Sequence, residues 1–388
     1  MSHPAPTGRH YGLDWLRIAA FALLVLYHVA MPFSPWHWVI KLPPLQPWLI
    51  APLALLTPWR LPLLFVVSGF ATRRLLGRSA DITAFLRERL RRLGLPLLFG
   101  VAVLLPPELW VRERLRGYDE SLGFFWLHDY WSTTPLHGLA FPQWEHLWFV
   151  VYLLAYTLLL AAVVARVGTA RLQDAADALA RRSRLVWMPP AALIVMKLAV
   201  LFVVPEEQGL LRDWGGHAEY LPLFVFGFAL GGSRELWPAI AASRRPALLG
   251  AVVAGAIVVA CELYWPGKAV PPHAAMALLR AARLVMAWAM VLLLVDAADR
   301  WLDRDHRWRR PLAAAVFPVY LVHHPVLVLL AWLLLPLALP PLPAFALLLG
   351  GTLAVALAAA WLGARVDWLG PLLGLPRRRG PVLVAATG

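Results

Sequence analysis

The first long apolar segment, Leu13 to Phe33, is twenty-one residues long and carries three ionisable side chains, Asp14, Arg17 and His28. A helix of that length rises about 30 Å, enough to cross the hydrocarbon core of a bilayer. At about 100° per residue, Arg17 and His28 fall roughly 20° apart around the helix, with Asp14 about 40° to the other side of His28. One face therefore presents a carboxylate, a guanidinium and an imidazole, spread over about 21 Å. Ionisable groups inside a span are expensive, so they usually face a polar interior and mark function. An interfacial Asp14–Arg17 ion pair, with His28 anchored at the opposite interface, fits the same positions.

Nine further segments of this kind follow. The spans read as about 13–33, 47–75, 94–112, 146–165, 186–204, 218–233, 247–265, 275–295, 312–335 and 341–363. With 61% hydrophobic and only 15% charged residues, the chain cannot hide its apolar surface in a water-soluble fold. The expected fold is all-α, a polytopic membrane bundle of about ten helices. Residues 1–12 read as a cytoplasmic lead, 13–363 as one transmembrane domain with an outer loop at about 113–145, and 364–388 as a basic cytoplasmic tail.

The formal net charge of +14 invites a nucleic-acid reading, but its distribution argues against one. Lys and Arg outside the spans fall in large excess on the side of the N-terminus, as the positive-inside rule requires when both termini are cytoplasmic. The basic excess is thus a topology signal, and the partner it implies is the bilayer. The single cysteine, Cys261, rules out an intrachain disulfide framework. The twelve histidines are scattered without metal-ligand spacing, so no metal is expected.

Several stretches could carry chemistry. In T-P-W-R-L-P-L-L-F-V-V-S-G-F, Pro58 and Pro62 loosen the second span on either side of Arg60, which suits a water-lined cavity; Arg60 could equally snorkel. Ser68-Gly69 lets another helix approach closely. Arg89 and Arg92 share a helix face at the inner membrane surface and could grip phosphates or anionic lipid heads. The aromatic outer loop, ending in Trp144-Glu145, could stack on a sugar or pack over the bundle. In the ninth span, F-P-V-Y-L-V-H-H-P puts Tyr320 and His323 on one face just before Pro325.

Arg17 and His28 at their spacing, R-x-P-L-x-F-x-x-S-G-F from Arg60, R-L-R-R-L-G-L-P from Arg89, H-L-W-F from His146 and Y-L-V-H-H-P from Tyr320 occur in that order. Together they resemble the acyltransferase-3 family of bacterial inner-membrane acyltransferases, and most closely its glucan-biosynthesis branch, associated with succinylation of periplasmic glucans. The resemblance implies a ten-helix core, an acyl-CoA-type donor (acetyl-CoA or succinyl-CoA) used as substrate with no permanently bound cofactor, and a periplasmic glycan acceptor. By position it implies functional roles for Arg17, His28, Arg89 and Arg92, and more weakly for Arg60, Tyr320 and His323.

Acyl transfer from a thioester to an alcohol needs a base, an oxyanion site and a grip on the donor. His28 suits the base, since imidazole titrates near neutral pH. Arg17, with Asp14 holding it, and Arg89 with Arg92 suit the donor side; Arg60, Tyr320, His323 or Glu145 suit the oxyanion or acceptor. A transporter or flippase of a polar glycan or acyl carrier is the alternative, because intramembrane charges and Pro-broken helices fit that class too.

Overall fold

In a computed structural model of the chain, residues 10–181, 184–201, 209–266 and 269–376 are described. Among them the secondary structure is helical, with no strand. Eight segments are long and apolar enough to cross a membrane: Tyr11–Phe33, Pro47–Leu76, Ile82–Arg114, Glu145–Ala180, Arg244–Tyr264, His273–Leu302, Arg309–Leu337 and Pro341–Gly363. They coincide with eight of the ten predicted spans. The other two fall on α8 (Arg184–Leu201) and α9 (Trp214–Leu230). The latter is a 17-residue helix, while the predicted 186–204 span runs past Leu201 beyond the described residues. The basic run Arg377 to Arg379 also lies outside them.

The first helix, α1 (Tyr11–Ala30), starts where the His10 ring accepts a hydrogen bond from the Leu13 amide, and ends in a 3₁₀ turn, Met31–Phe33, at Pro32. His10 also stacks on Trp237 and meets Asp299 at 3.0 Å, which ties this helix start into the bundle.

In α2 (Ile50–Leu76), Pro58 and Pro62 withhold two backbone donors. In the same turns the side chains of Thr57 and Trp59 donate to the carbonyls of Leu53 and Leu55, at 2.8 and 2.7 Å. The helix stays continuous through both prolines. Its partner is α9, and they approach as the Ser68-Gly69 pair predicts. A Cβ on Gly69 would sit 2.0 Å from the Phe224 carbonyl oxygen, and one on Gly227 1.9 Å from that of Val66. Two glycines facing each other bring backbone onto backbone.

The third segment is longer than its predicted span. It runs through α3 (Ile82–Arg89), α4 (Leu95–Phe99) and α5 (Leu105–Arg114), joined by π-helical turns at Leu90–Gly94 and Gly100–Leu104. A π turn disturbs the carbonyl ladder of a helix. Here the loop of residues 115–144 meets it: Trp126 Nε1 donates to the Ala102 carbonyl at 2.9 Å and the Tyr130 hydroxyl to that of Val101 at 2.6 Å. Phe125, Tyr130 and Phe141 bury their rings against one another beneath them. The loop, which includes α6 (Leu122–Leu127), is therefore packed onto the bundle at these positions.

The fourth segment continues past its predicted end in α7 (Trp148–Ala180), turning at Gly168, whose φ of 75° only glycine adopts without strain. Beyond the turn the helix continues to Ala180. The remaining elements are α10 (Leu236–Ala242), α11 (Arg244–Tyr264), α12 (His273–Ala297), α13 (Arg309–Leu334), α14 (Pro341–Gly363) and a short α15 (Leu369–Leu372). Helices α11 and α12 pack together, as do α13 and α14, while α1 lies along α13. Charges inside the bundle meet across helices: Lys197 Nζ lies 3.7 Å from Glu219, and Arg283 pairs with Glu262.

Candidate active site

The site forms where α1, α5, α13 and the start of α7 converge, at the end of the bundle that carries residues 115–144. Helix α1 contributes His28, one turn before its 3₁₀ end. Helix α13 contributes His323 and His324 beside Pro325, and His146 comes from the turn that opens α7. The rings of His28 and His323 stack at 5.2 Å, those of His146 and His324 at 4.9 Å, and each pair meets the other edge-on. Four imidazoles thus pack into one cluster.

Hydrogen bonding orders two of them. His323 Nδ1 lies 2.6 Å from the Tyr320 carbonyl oxygen, which can only accept, so Nδ1 carries the proton. His323 Nε2 then offers its lone pair to His28 Nδ1, 2.9 Å away, which must donate. In this neutral arrangement His28 Nε2 is left with a free lone pair, assigned by the network. His323 is fully buried, whereas His28 is half-buried. Tyr320 supplies its carbonyl to this chain and donates its hydroxyl to the His146 carbonyl, so that hydroxyl positions α7 against α13.

Arg60 sits over the ring of Tyr27, the residue before His28, with its guanidinium carbon 3.6 Å from the ring centroid. It is 5% exposed, and its Nε and one Nη have no hydrogen-bond partner. A buried cation with donors to spare is suited to a developing oxyanion. Glu145 is held by Arg112 through two hydrogen bonds of 2.7 Å. That pair, with Pro142, Gln143 and Trp144, lines an open cavity of about 410 Å³ next to His146.

The other sequence candidates lie elsewhere. Along α1 the eleven residues from Arg17 to His28 correspond to about 16 Å. Arg17 donates to the Ala313 carbonyl at 3.4 Å and is 4.0 Å from Asp14. The close partner of Asp14 is Arg309, at 2.7 Å, which also binds Asp305 at 2.8 Å and is 1% exposed. Asp14 thus anchors α13 as well as lying beside Arg17. Removing Asp14 leaves the buried Arg309 guanidinium with Asp305 as its remaining carboxylate partner and loses the tie between α1 and α13. Asp14→Asn should accordingly lower the thermal unfolding temperature of the detergent-solubilised protein far more than Asp119→Asn, which changes a carboxylate on the exposed loop. Equal melting curves for the two variants would remove the anchor.

Arg89 and Arg92 lie toward the opposite end of the third segment from Glu108, about 28 Å away by helical rise. Arg92 is tied to Glu88, and Arg89 is half-buried with an unpartnered Nε.

The sequence reading passed over Glu108, Arg112 and Arg309, and treated His146 and His324 only as parts of motifs. Glu108 is fully buried, 3.0 Å from His324 Nδ1. The rule that singled out His28, an ionisable residue inside an apolar run, also points to Glu108 in the 94–112 span. No local signal pairs Arg309 with Asp14.

Comparison with known proteins follows this geometry. The acyltransferase domain family (Acyl_transf_3) matches residues 10–361. The glucans biosynthesis protein C of Salmonella paratyphi A (strain ATCC 9150 / SARB42) is 24% identical over 333 residues, covering 84% of this chain and 83% of that protein. Its counterpart in Escherichia coli (strain K12) is 26% identical over 165 residues, or 42% and 41% of the two chains. No solved structure matches significantly. The chain belongs to the acyltransferase-3 family and is a multi-pass membrane acyltransferase.

Proposed function

We propose that this protein, in the bacterial inner membrane, moves an acetyl or succinyl group from a cytoplasmic acyl-CoA-type donor to a hydroxyl of a periplasmic or cell-envelope glycan. The observation that carries the reading is the chain from the Tyr320 carbonyl through His323 to His28, which leaves His28 Nε2 as a base at a half-buried position. As the glycan oxygen attacks the thioester carbonyl, its proton passes to His28 Nε2, and the resulting imidazolium is held by its hydrogen bond to His323. The tetrahedral oxyanion forms within reach of a buried cationic donor, the role we give to Arg60. Collapse breaks the carbon–sulfur bond, and the thiolate leaves with the proton from His28.

The open cavity walled by Arg112, Glu145 and Trp144 offers the acceptor an aromatic face and paired charges. Arg89, Arg92 and Arg17, toward the other end of the bundle, suit the donor's phosphates. The name of the Salmonella and Escherichia relatives supports a glucan as acceptor. The test is mass spectrometry of envelope and periplasmic glycans from cells with and without the protein. The expected result is an acyl mass increment that depends on the protein, is base-labile, and identifies the group transferred. Glycans of identical mass in both strains would overturn the reading.

A further inference from the structure

We propose that Glu108, His146 and His324 form a binding site for a divalent transition-metal ion of the zinc type. One ligand atom from each of the three lies within 4.8 Å of the others. All three sit on different elements, α5, the turn opening α7, and α13, so the fold alone assembles them.

Four features distinguish this group from an ordinary buried ion pair. His146 Nε2 donates to the Leu321 carbonyl at 3.2 Å, which leaves the lone pair on Nδ1. That Nδ1 is itself buried and has no hydrogen-bond partner. Metal-bound histidines characteristically use their second ring nitrogen in this way, donating to a carbonyl that fixes tautomer and orientation. Next, in the fully buried Glu108, Oε2 has no hydrogen-bond partner and Oε1 meets His324 Nδ1. A buried carboxylate without donors is costly to maintain unless something positive meets it.

Third, His324 Nδ1 lies 3.0 Å from Glu108 Oε1, close to the spacing that two ligand atoms take around one ion. Ligand atoms around tetrahedral zinc, with bonds near 2.0–2.2 Å, lie about 3.3 Å apart, so modest tightening of the group completes the geometry. Fourth, the donor set is selective. Two imidazoles and one carboxylate suit zinc and its neighbours, whereas calcium and magnesium take oxygen ligands. Three protein ligands leave a fourth position open, as in zinc sites that bind water or substrate.

The site touches the His28–His323 pair edge-on but does not contain it, and its existence can be read without acyl transfer. The full-length protein is purified in detergent, stripped with a chelator, and titrated with Zn²⁺ against a chromophoric competitor. A parallel titration with Co²⁺ reads ligand-field absorption. The expected result is one tight site per chain with the band intensity of tetrahedral cobalt. Glu108→Gln and His324→Ala should each weaken binding at least 100-fold. His37→Ala, which removes an exposed loop histidine, should leave it unchanged. Should His324→Ala fail to elute as a monodisperse species, the nearly isosteric Glu108→Gln decides alone. Substoichiometric metal in the wild type, or tight binding retained by Glu108→Gln, would overturn the site.

Discussion

His28→Ala is expected to cut acyl transfer by about 10²–10⁴-fold, the range for loss of a positioned general base, while the protein still inserts and elutes as a monodisperse species. The ring is half-buried and makes one hydrogen bond, to His323, so its loss strands little. What disappears is the lone pair on Nε2. His323→Ala should be milder on chemistry, because His323 holds and orients the base without meeting the hydroxyl. Its effect should fall on kcat, with KM for the donor unchanged. Measuring transfer of a radiolabelled acyl group to glycan in membranes normalised for protein content checks both. Wild-type rates in His28→Ala would remove it as the base, and with it the relay.

Gly227→Leu is expected to abolish recovery of folded protein, and even Gly227→Ala should lower it steeply. A Cβ at this position would lie 1.9 Å from the Val66 carbonyl oxygen, and the obstacle is backbone, which cannot rotate aside. The contact is reciprocal, since a Cβ on Gly69 would meet the Phe224 carbonyl at 2.0 Å. Overpacking in an adaptable core costs about 1–3 kcal/mol. Here relief requires α2 and α9 to separate, which would move the helix carrying Arg60. Gly350, in α14, is the control, because a Cβ there meets nothing within 4 Å. Gly350→Ala should be neutral or slightly stabilising, as alanine is the better helix former. Size-exclusion profiles of fluorescent fusions, with thermal challenge, separate the cases. Equal profiles for the two alanine variants would show that the α2–α9 crossing tolerates displacement.

Much of the architecture was legible from apolar periodicity. The positions of eight spans and the close approach at Ser68-Gly69 follow from local pattern. The third and fourth segments ran longer than read, because a helix continues through charged residues once it is anchored by neighbours. Arg89 and Arg92, read as sharing a helix face outside the 94–112 span, lie on α3 and the π turn that extend it.

The site was legible only in part. His28, Tyr320 and His323 were marked by lying inside apolar runs, and the structure joins them in one hydrogen-bonded chain. Glu145, read as an acceptor contact, is held by Arg112 at the edge of the cavity. Arg89, Arg92 and Arg17 lie apart from the histidines along their helices.

By itself the sequence determined the membrane-embedded helical class, the face of α1 that carries ionisable groups, and the motif order of the family. Each of these depends on residues close together in the chain or on composition. Only the tertiary structure decided that His28 is oriented by His323, that Asp14 pairs with Arg309, and that Glu108, His146 and His324 converge. Those partners lie on helices distant in sequence, and their meeting depends on crossing angles and axial shifts set by side-chain packing between helices, for which no local spacing rule exists.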